Sequence, residues 1–130
     1  MSIHPQYAEA ILAGSKRVEF RKRRLAADVS TVAIYATLPI GRIVGVFEVL
    51  GHDVAPPREL WARHRAHAGI SASGYRAYFA QSKAAVGILI GNAQRLPQPR
   101  RVTELPGLSR PPQSFSYLSA DQAADIRSWL

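Results

Sequence analysis

Residues 14–21 read GSKRVEFR, and the way this stretch alternates decides how the chain is built. Val18 and Phe20 are separated by Glu19 and flanked by Arg17 and Arg21, the period of two that gives a strand one buried face and one polar face. The polar face carries an oddity. Lys16, Arg17, Arg21, Lys22, Arg23 and Arg24 crowd around a single carboxylate, Glu19, which would only weaken the field of a simple cationic tail. Glu19 is therefore read as placed, and in the strand reading it shares its face with Arg21 and Arg23.

Upstream, His4-Pro5 followed by Tyr7, Ile11 and Leu12 predicts a short amphipathic helix with proline in its first turn and Gly14 as its stop. Downstream, Thr31 to Leu38 and Arg42 to Leu50 are β-branched segments joined by Pro39-Ile40-Gly41, which predicts antiparallel neighbours, with Gly45 marking a bulge. Pro56-Pro57 opens a helical stretch closed by Gly69, and Ser71 or Ser73 caps a second helix through Tyr75, Tyr78 and Phe79. Ala84 to Ile90 is an apolar run of central-strand length ended by Gly91-Asn92. Residues 95–112 are proline-rich and predict a long surface connection with one short strand near Val102. Ser119 and Gln122 form a capping box for a final helix carrying Ala123, Ile126 and Leu130 on one stripe.

Short strands with helices between them, lacking βαβ regularity, give an α+β class. At 130 residues, 47% hydrophobic and 20% charged, the chain reads as one globular domain spanning 1–130. The net charge of +8 favours a polyanionic partner, nucleic acid first. With no cysteine, thiolate zinc sites, disulfides and cysteine nucleophiles are excluded. Pro5, Gln6 and Glu9 interrupt any secretory apolar run, and Pro39, Gly41 and Arg42 break the most apolar stretch, so a cytoplasmic protein without a membrane partner is expected. There is no Gly-rich phosphate loop, GxSxG elbow or HExxH. His64 and His67 stand i,i+3 on the helix after Pro57 without a third ligand nearby, so no metal and no cofactor is expected.

The stretch Gly14-Ser15-Lys16-Arg17-Val18-Glu19-Phe20-Arg21 resembles the GxKxxExR signature of ASCH domains. IHPQYAEAIL ahead of it, AGISASGYRAYFA, VGILIG and PPQSFSYL resemble the corresponding stretches of stand-alone ASCH proteins in the same order. The resemblance implies a small PUA-like mixed β-barrel of about five to six strands with inserted and C-terminal helices, and a cleft for RNA or modified nucleosides. Relatives carry more apolar residues before the "SI-x-P" stretch as a first strand, and only Met1, Ser2 and Ile3 stand there here. Some branches of the family resemble binding modules, and others look like ribonucleases or 4-acetylcytidine amidohydrolases. In the amidohydrolase branch the motif lysine, matched by Lys16, works with a threonine three residues on, where this chain has Glu19.

Physically, a carboxylate beside Lys16 favours its ammonium form, which suits Lys16 to hold a phosphate or polarise a carbonyl. Glu19 would order Lys16 and Arg21 and accept a hydrogen bond from an exocyclic amine. Arg23 and Arg24, with Arg100 and Arg101, would track phosphates. Gln113 and Ser114, presented by the prolines of PPQSFSYL, would contact a base edge. The expected function is binding of RNA, or of a modified nucleobase, through a basic cleft lined by these residues. The alternative is a metal-independent hydrolase, a ribonuclease or a 4-acetylcytidine amidohydrolase-like enzyme, using Glu19 as general base, Lys16 as oxyanion stabiliser and Ser114 to orient water or substrate. Substitution of Lys16 or Glu19 is expected to remove function and leave the melting temperature within a few degrees.

Overall fold

The computed structural model describes residues 1–105 and 120–130. Strand β1 (Ser2–Ile3) leads into helix α1 (Pro5–Ala13), followed by β2 (Val18–Arg21), β3 (Thr31–Ala36) and β4 (Arg42–Ala55). Helix α2 (Pro57–His64), a 3-10 turn (Arg65–His67) and helix α3 (Ala72–Tyr78) come before β5 (Ala85–Arg100). A second 3-10 turn (Val102–Glu104) and helix α4 (Ala120–Ser128) complete the described chain.

The strands form one mixed sheet in the order β1-β3-β4-β5-β2, with β1 parallel to β3 and the other pairings antiparallel. This is the expected α+β class. Among the described residues the backbone pairing does not close the sheet into the expected barrel: β1 and β2 are its two ends. They are nevertheless brought together by a side chain, because Arg21 on β2 donates from Nη2 to the Ser2 carbonyl on β1 at 2.9 Å. The candidate site lies at the seam between the two edges.

The β4–β5 ribbon is longer than the sequence predicts. Its register shifts between Ile43 and Gly45, Val46 and Glu48, and Val49 and Gly51, and such bulges let a strand bend and continue instead of ending. Asn92 follows Gly91 at φ 45°, so the dipeptide read as a terminator is a kink inside β5. The strand expected near Val102 is a 3-10 turn instead, with Val102 and Leu105 buried. Gly45 sits where α1 closes on the sheet: a Cβ there would lie 2.6 Å from both the Gln94 carbonyl oxygen and Leu12 Cδ2.

Three apolar clusters result. Ile11 of α1 packs with Ile34, Phe47 and Ile88 of the sheet. Val18 and Phe20 pack with Leu60, Tyr75 and Phe79 of α2 and α3. Tyr35, Ile43, Leu96 and Leu105 pack against Ile126 of α4. Each fully buried large side chain contributes roughly 1.5–3 kcal/mol. No helix among the described residues is long and apolar enough to cross a membrane.

Candidate functional site at the sheet seam

Gly14 adopts φ 88°, a left-handed turn that ends α1. The amides of Ser15 and Lys16 both donate to the Ala10 carbonyl as the chain drops away from the helix. Arg17 then donates its amide to the His67 carbonyl at 2.9 Å and accepts from the Ile90 amide at 3.0 Å. This stitching fixes the backbone on both sides of Lys16 and turns its side chain inward.

Lys16 is only 2% exposed and Glu19 7%; they are the buried charged residues of the described chain. Lys16 Nζ donates to the Ala68 carbonyl at 2.5 Å and lies 3.7 Å from Glu19 Oε1. The other carboxylate oxygen, Oε2, accepts from Arg21 Nη2 at 2.9 Å and Nε at 3.2 Å, a fork-like grip. Arg21 thus ties Glu19 to β1 through Ser2, and the three charges form one network beneath the seam.

Above this floor lies a cleft of about 330 Å³. Ser2, Ile3 and His4 supply one wall, Tyr7 of α1 and Phe20 of β2 another, and Ile70, Gly74, Tyr75 and Tyr78 of the α3 region the third. Lys16 Nζ is 5.2 Å from the Phe20 ring centroid and 5.6 Å from that of Tyr7, so aromatic faces replace part of its lost hydration. Tyr78 is 40% exposed at the mouth, with Lys22 Nζ 4.9 Å from its ring centroid.

Burial is the largest influence on Lys16 and lowers its pKa from the ordinary 10.5, with Arg21 adding to the effect and Glu19 opposing it. This reverses the expectation that Glu19 settles the matter in favour of the ammonium: desolvation outweighs the carboxylate. Burial also raises the phenol of Tyr78.

The structure brings Lys16, Glu19 and Arg21 together and separates Arg23 and Arg24 from them. β2 ends at Arg21, so Arg23 does not continue its face, and both arginines are exposed beyond the strand and absent from the cleft walls. Arg100 instead pairs with Glu104 at 3.4 Å and stacks over Trp129. Gln113 and Ser114 lie outside the described residues, as does Ser119. His64 Nε2 donates to Asp53 Oδ2 at 2.7 Å, and Arg63 holds the same carboxylate at 2.8 Å, which accounts for the histidine by a structural hydrogen bond. Among the described residues no group of metal-ligating side chains comes together.

What sequence reasoning missed are the walls, since Tyr7 and Phe20 read as core positions. The readable signal was the ring-rich face of α3, where Tyr75, Tyr78 and Phe79 follow at helical spacing.

Gly69 supports the floor from behind. It holds φ +62°, and a Cβ there would lie 2.6, 2.8 and 2.9 Å from Cβ, Cγ and Cδ of Lys16. Gly69→Ala is therefore expected to cost about 1–3 kcal/mol in backbone strain and displaced lysine stem, and to impair ligand binding beyond what the stability loss explains. Chemical denaturation together with ligand titration checks this; an unchanged melt would show that the turn relaxes freely.

The ASCH domain family profile matches residues 1–93, a span that contains every wall and floor residue of the cleft. A protein of Zymomonas mobilis, the ASCH domain-containing ribonuclease, is 30% identical over 132 residues, covering 98% of this chain and 88% of that protein. The crystal structure of ASCH from Zymomonas mobilis matches with a TM-score of 0.89 at 30% identity, over 98% of this chain and 92% of that one. A mutant protein of the same Zymomonas ASCH matches with a TM-score of 0.89 at 29% identity, over 98% and 94% of the two chains.

Proposed function

This chain belongs to the ASCH domain family, and from that premise we propose that its seam cleft binds a base of single-stranded RNA, or a modified nucleobase. The observation that carries the reading is the pairing of aromatic walls with a buried floor of hydrogen-bonded ionisable side chains, Lys16, Glu19 and Arg21. A cavity of about 330 Å³ accommodates a heterocycle with part of its sugar. Unpaired RNA bases are held by ring stacking and by hydrogen bonds to their polar edges. Tyr78 and Tyr7 offer the stacking surfaces. Glu19 Oε1 retains acceptor capacity for an exocyclic amine, because Arg21 occupies the other oxygen. The floor carries two cations, Lys16 and Arg21, to one carboxylate, which favours an anionic ligand. The name of the Zymomonas relative adds support for RNA as the class of ligand.

A second reading is metal-independent RNA cleavage, favoured by that relative's name and by the lowered pKa of Lys16. In it, Glu19 takes the proton of a 2′-hydroxyl as that oxygen attacks the adjacent phosphorus, and Arg21 faces the charge that builds on the phosphoryl oxygens. The P–O5′ bond breaks as the 5′-oxygen takes a proton from the Lys16 ammonium, leaving a 2′,3′-cyclic phosphate. Hydrolysis of 4-acetylcytidine would use the same floor.

Wild type and Tyr78→Ala are incubated with a pool of short RNAs and with 4-acetylcytidine, at low and moderate salt, following both complex and product. Salt-sensitive binding that weakens about tenfold in Tyr78→Ala, with little change in melting temperature, is the expected result. Product formed by substoichiometric protein would establish the catalytic reading. Binding indifferent to Tyr78 would remove the cleft from consideration.

A further inference from the structure

A second cavity, of about 490 Å³, opens between α2 and α3 on the far side of Tyr75. Pro57, Arg58 and Trp61 of α2 face Ala72, Arg76 and Phe79 of the α3 region, and Tyr75 is common to this cavity and the seam cleft. Tyr75 is a fixed partition: its hydroxyl donates to the Pro57 carbonyl at 2.7 Å and its ring is 3% exposed. Trp61 is half-buried, with its ring centroid 4.7 Å from that of Tyr75, and Phe79 lies 4.8 Å from the same ring.

The rim differs from the floor of the first cleft. Arg58 and Arg76 are exposed, one from each helix, and among the described residues neither is ion-paired, whereas Arg21, Arg63 and Arg95 all hold carboxylates. No acidic side chain lines the cavity. Aromatic surface flanked by two uncompensated guanidinium groups is the combination that holds a nucleotide by its base and its phosphates together.

We propose that this cavity is a second nucleotide subsite, in which the base next to the one in the seam cleft packs on Trp61 while Arg58 and Arg76 hold its phosphates. The inference rests on the cleft being an RNA site and extends it: the ligand is a single strand of at least two nucleotides crossing α3, with Tyr75 between consecutive bases. Full-length protein is titrated with 2′-fluorouridine 5′-monophosphate and with the 2′-fluoro oligouridylate di- and tetranucleotides, which lack a 2′-hydroxyl nucleophile. Wild type is expected to bind the dinucleotide about tenfold more tightly than the mononucleotide. The variant Arg58→Gln/Arg76→Gln is expected to keep the mononucleotide affinity and the melting temperature and to lose most of that gain. In a Trp129→Phe background, Trp61 emission is quenched by the dinucleotide and not by the mononucleotide. A mononucleotide that binds in a Tyr78-dependent way, with no gain on lengthening or a gain that survives in the double variant, overturns the subsite and leaves the cleft standing. Equal displacement of the dinucleotide by polyglutamate would reduce the cavity to a nonspecific anion surface and also overturn it. Failure of every probe to bind wild type would overturn cleft and subsite together.

Discussion

Glu19→Ala is expected to lower the unfolding free energy by about 3–5 kcal/mol, because it leaves the ammonium of Lys16 buried without its carboxylate. For a chain of this length that corresponds to a fall in melting temperature of roughly 10–20 °C. The sequence alone argued for a ligand-binding pair whose loss would remove function while the fold tolerated it. Exposures of 2% for the Lys16 side chain and 10% for that of Glu19 reverse this. Lys16→Met should behave differently. It keeps an unbranched stem against Gly69, and Glu19 remains in the two-point grip of Arg21, so the expected loss is no more than about 1–2 kcal/mol. The strut is thus one-sided: the acid is needed by the fold, and the amine can be spared.

The pH dependence separates charge from packing as the cause. The folded pKa of Lys16 lies below its ordinary 10.5, so between the two values the folded state binds fewer protons than the unfolded state and this residue's contribution to stability rises with pH. Removing Glu19 takes away the main influence that raises this pKa, which widens the window downward. The deficit of Glu19→Ala against wild type should therefore shrink between neutral and mildly alkaline pH, measured by urea denaturation at both. An equal deficit at both values would mean that the lost side-chain volume, not the stranded ammonium, carries the cost.

Much of this site was readable from residue order because its parts are close in sequence. Gly14 ended α1 as predicted, and the triad Lys16, Glu19 and Arg21 spans a loop and one short strand, so local periodicity sufficed. Ser71 caps α3 as read, its hydroxyl accepting from the Gly74 amide at 3.0 Å, and Pro39-Ile40-Gly41 joins antiparallel strands. What was not readable depends on distant pairing. The two-residue β1 exists because Ser2 and Ile3 pair with Tyr35 and Ala36, a partnership that no pattern within residues 1–5 announces. β5 runs on through Pro97 and Pro99 because bulges reset its register against β4, where local rules place a stop. The burial of Glu19 follows from the curl that brings β2 back to β1, a property of the whole sheet. Alternation identified the polar face of β2 correctly and misjudged its solvent, since that face looks into the cleft.

The apolar face of the same strand carries the other large expected effect. Val18 is 1% exposed in the cluster of Phe20, Leu60, Tyr75 and Phe79, and it faces Gly87 so closely that a Cβ there would lie 3.0 Å from Val18 Cγ2. Val18→Asp places a carboxylate in that cluster, and the cationic network of the cleft lies beneath the opposite face. The expected loss is more than about 4 kcal/mol, enough to unfold a marginally stable domain. The introduced acid would have a raised pKa in the folded state, which then binds more protons than the unfolded state. Any residual stability should be greatest at mildly acidic pH and fall as pH rises. Arg17→Asp, one residue earlier at an exposed position, changes the same chemistry on the other side and should alter stability by no more than about 0.5 kcal/mol. Val18 opens β2 and Arg17 lies just before it, so the contrast between these two effects tests directly which way the first residue of β2 faces. Comparable losses in the two variants would mean that Val18 does not face the α2 and α3 core, and the seam geometry built on Glu19 and Arg21 would fall with it.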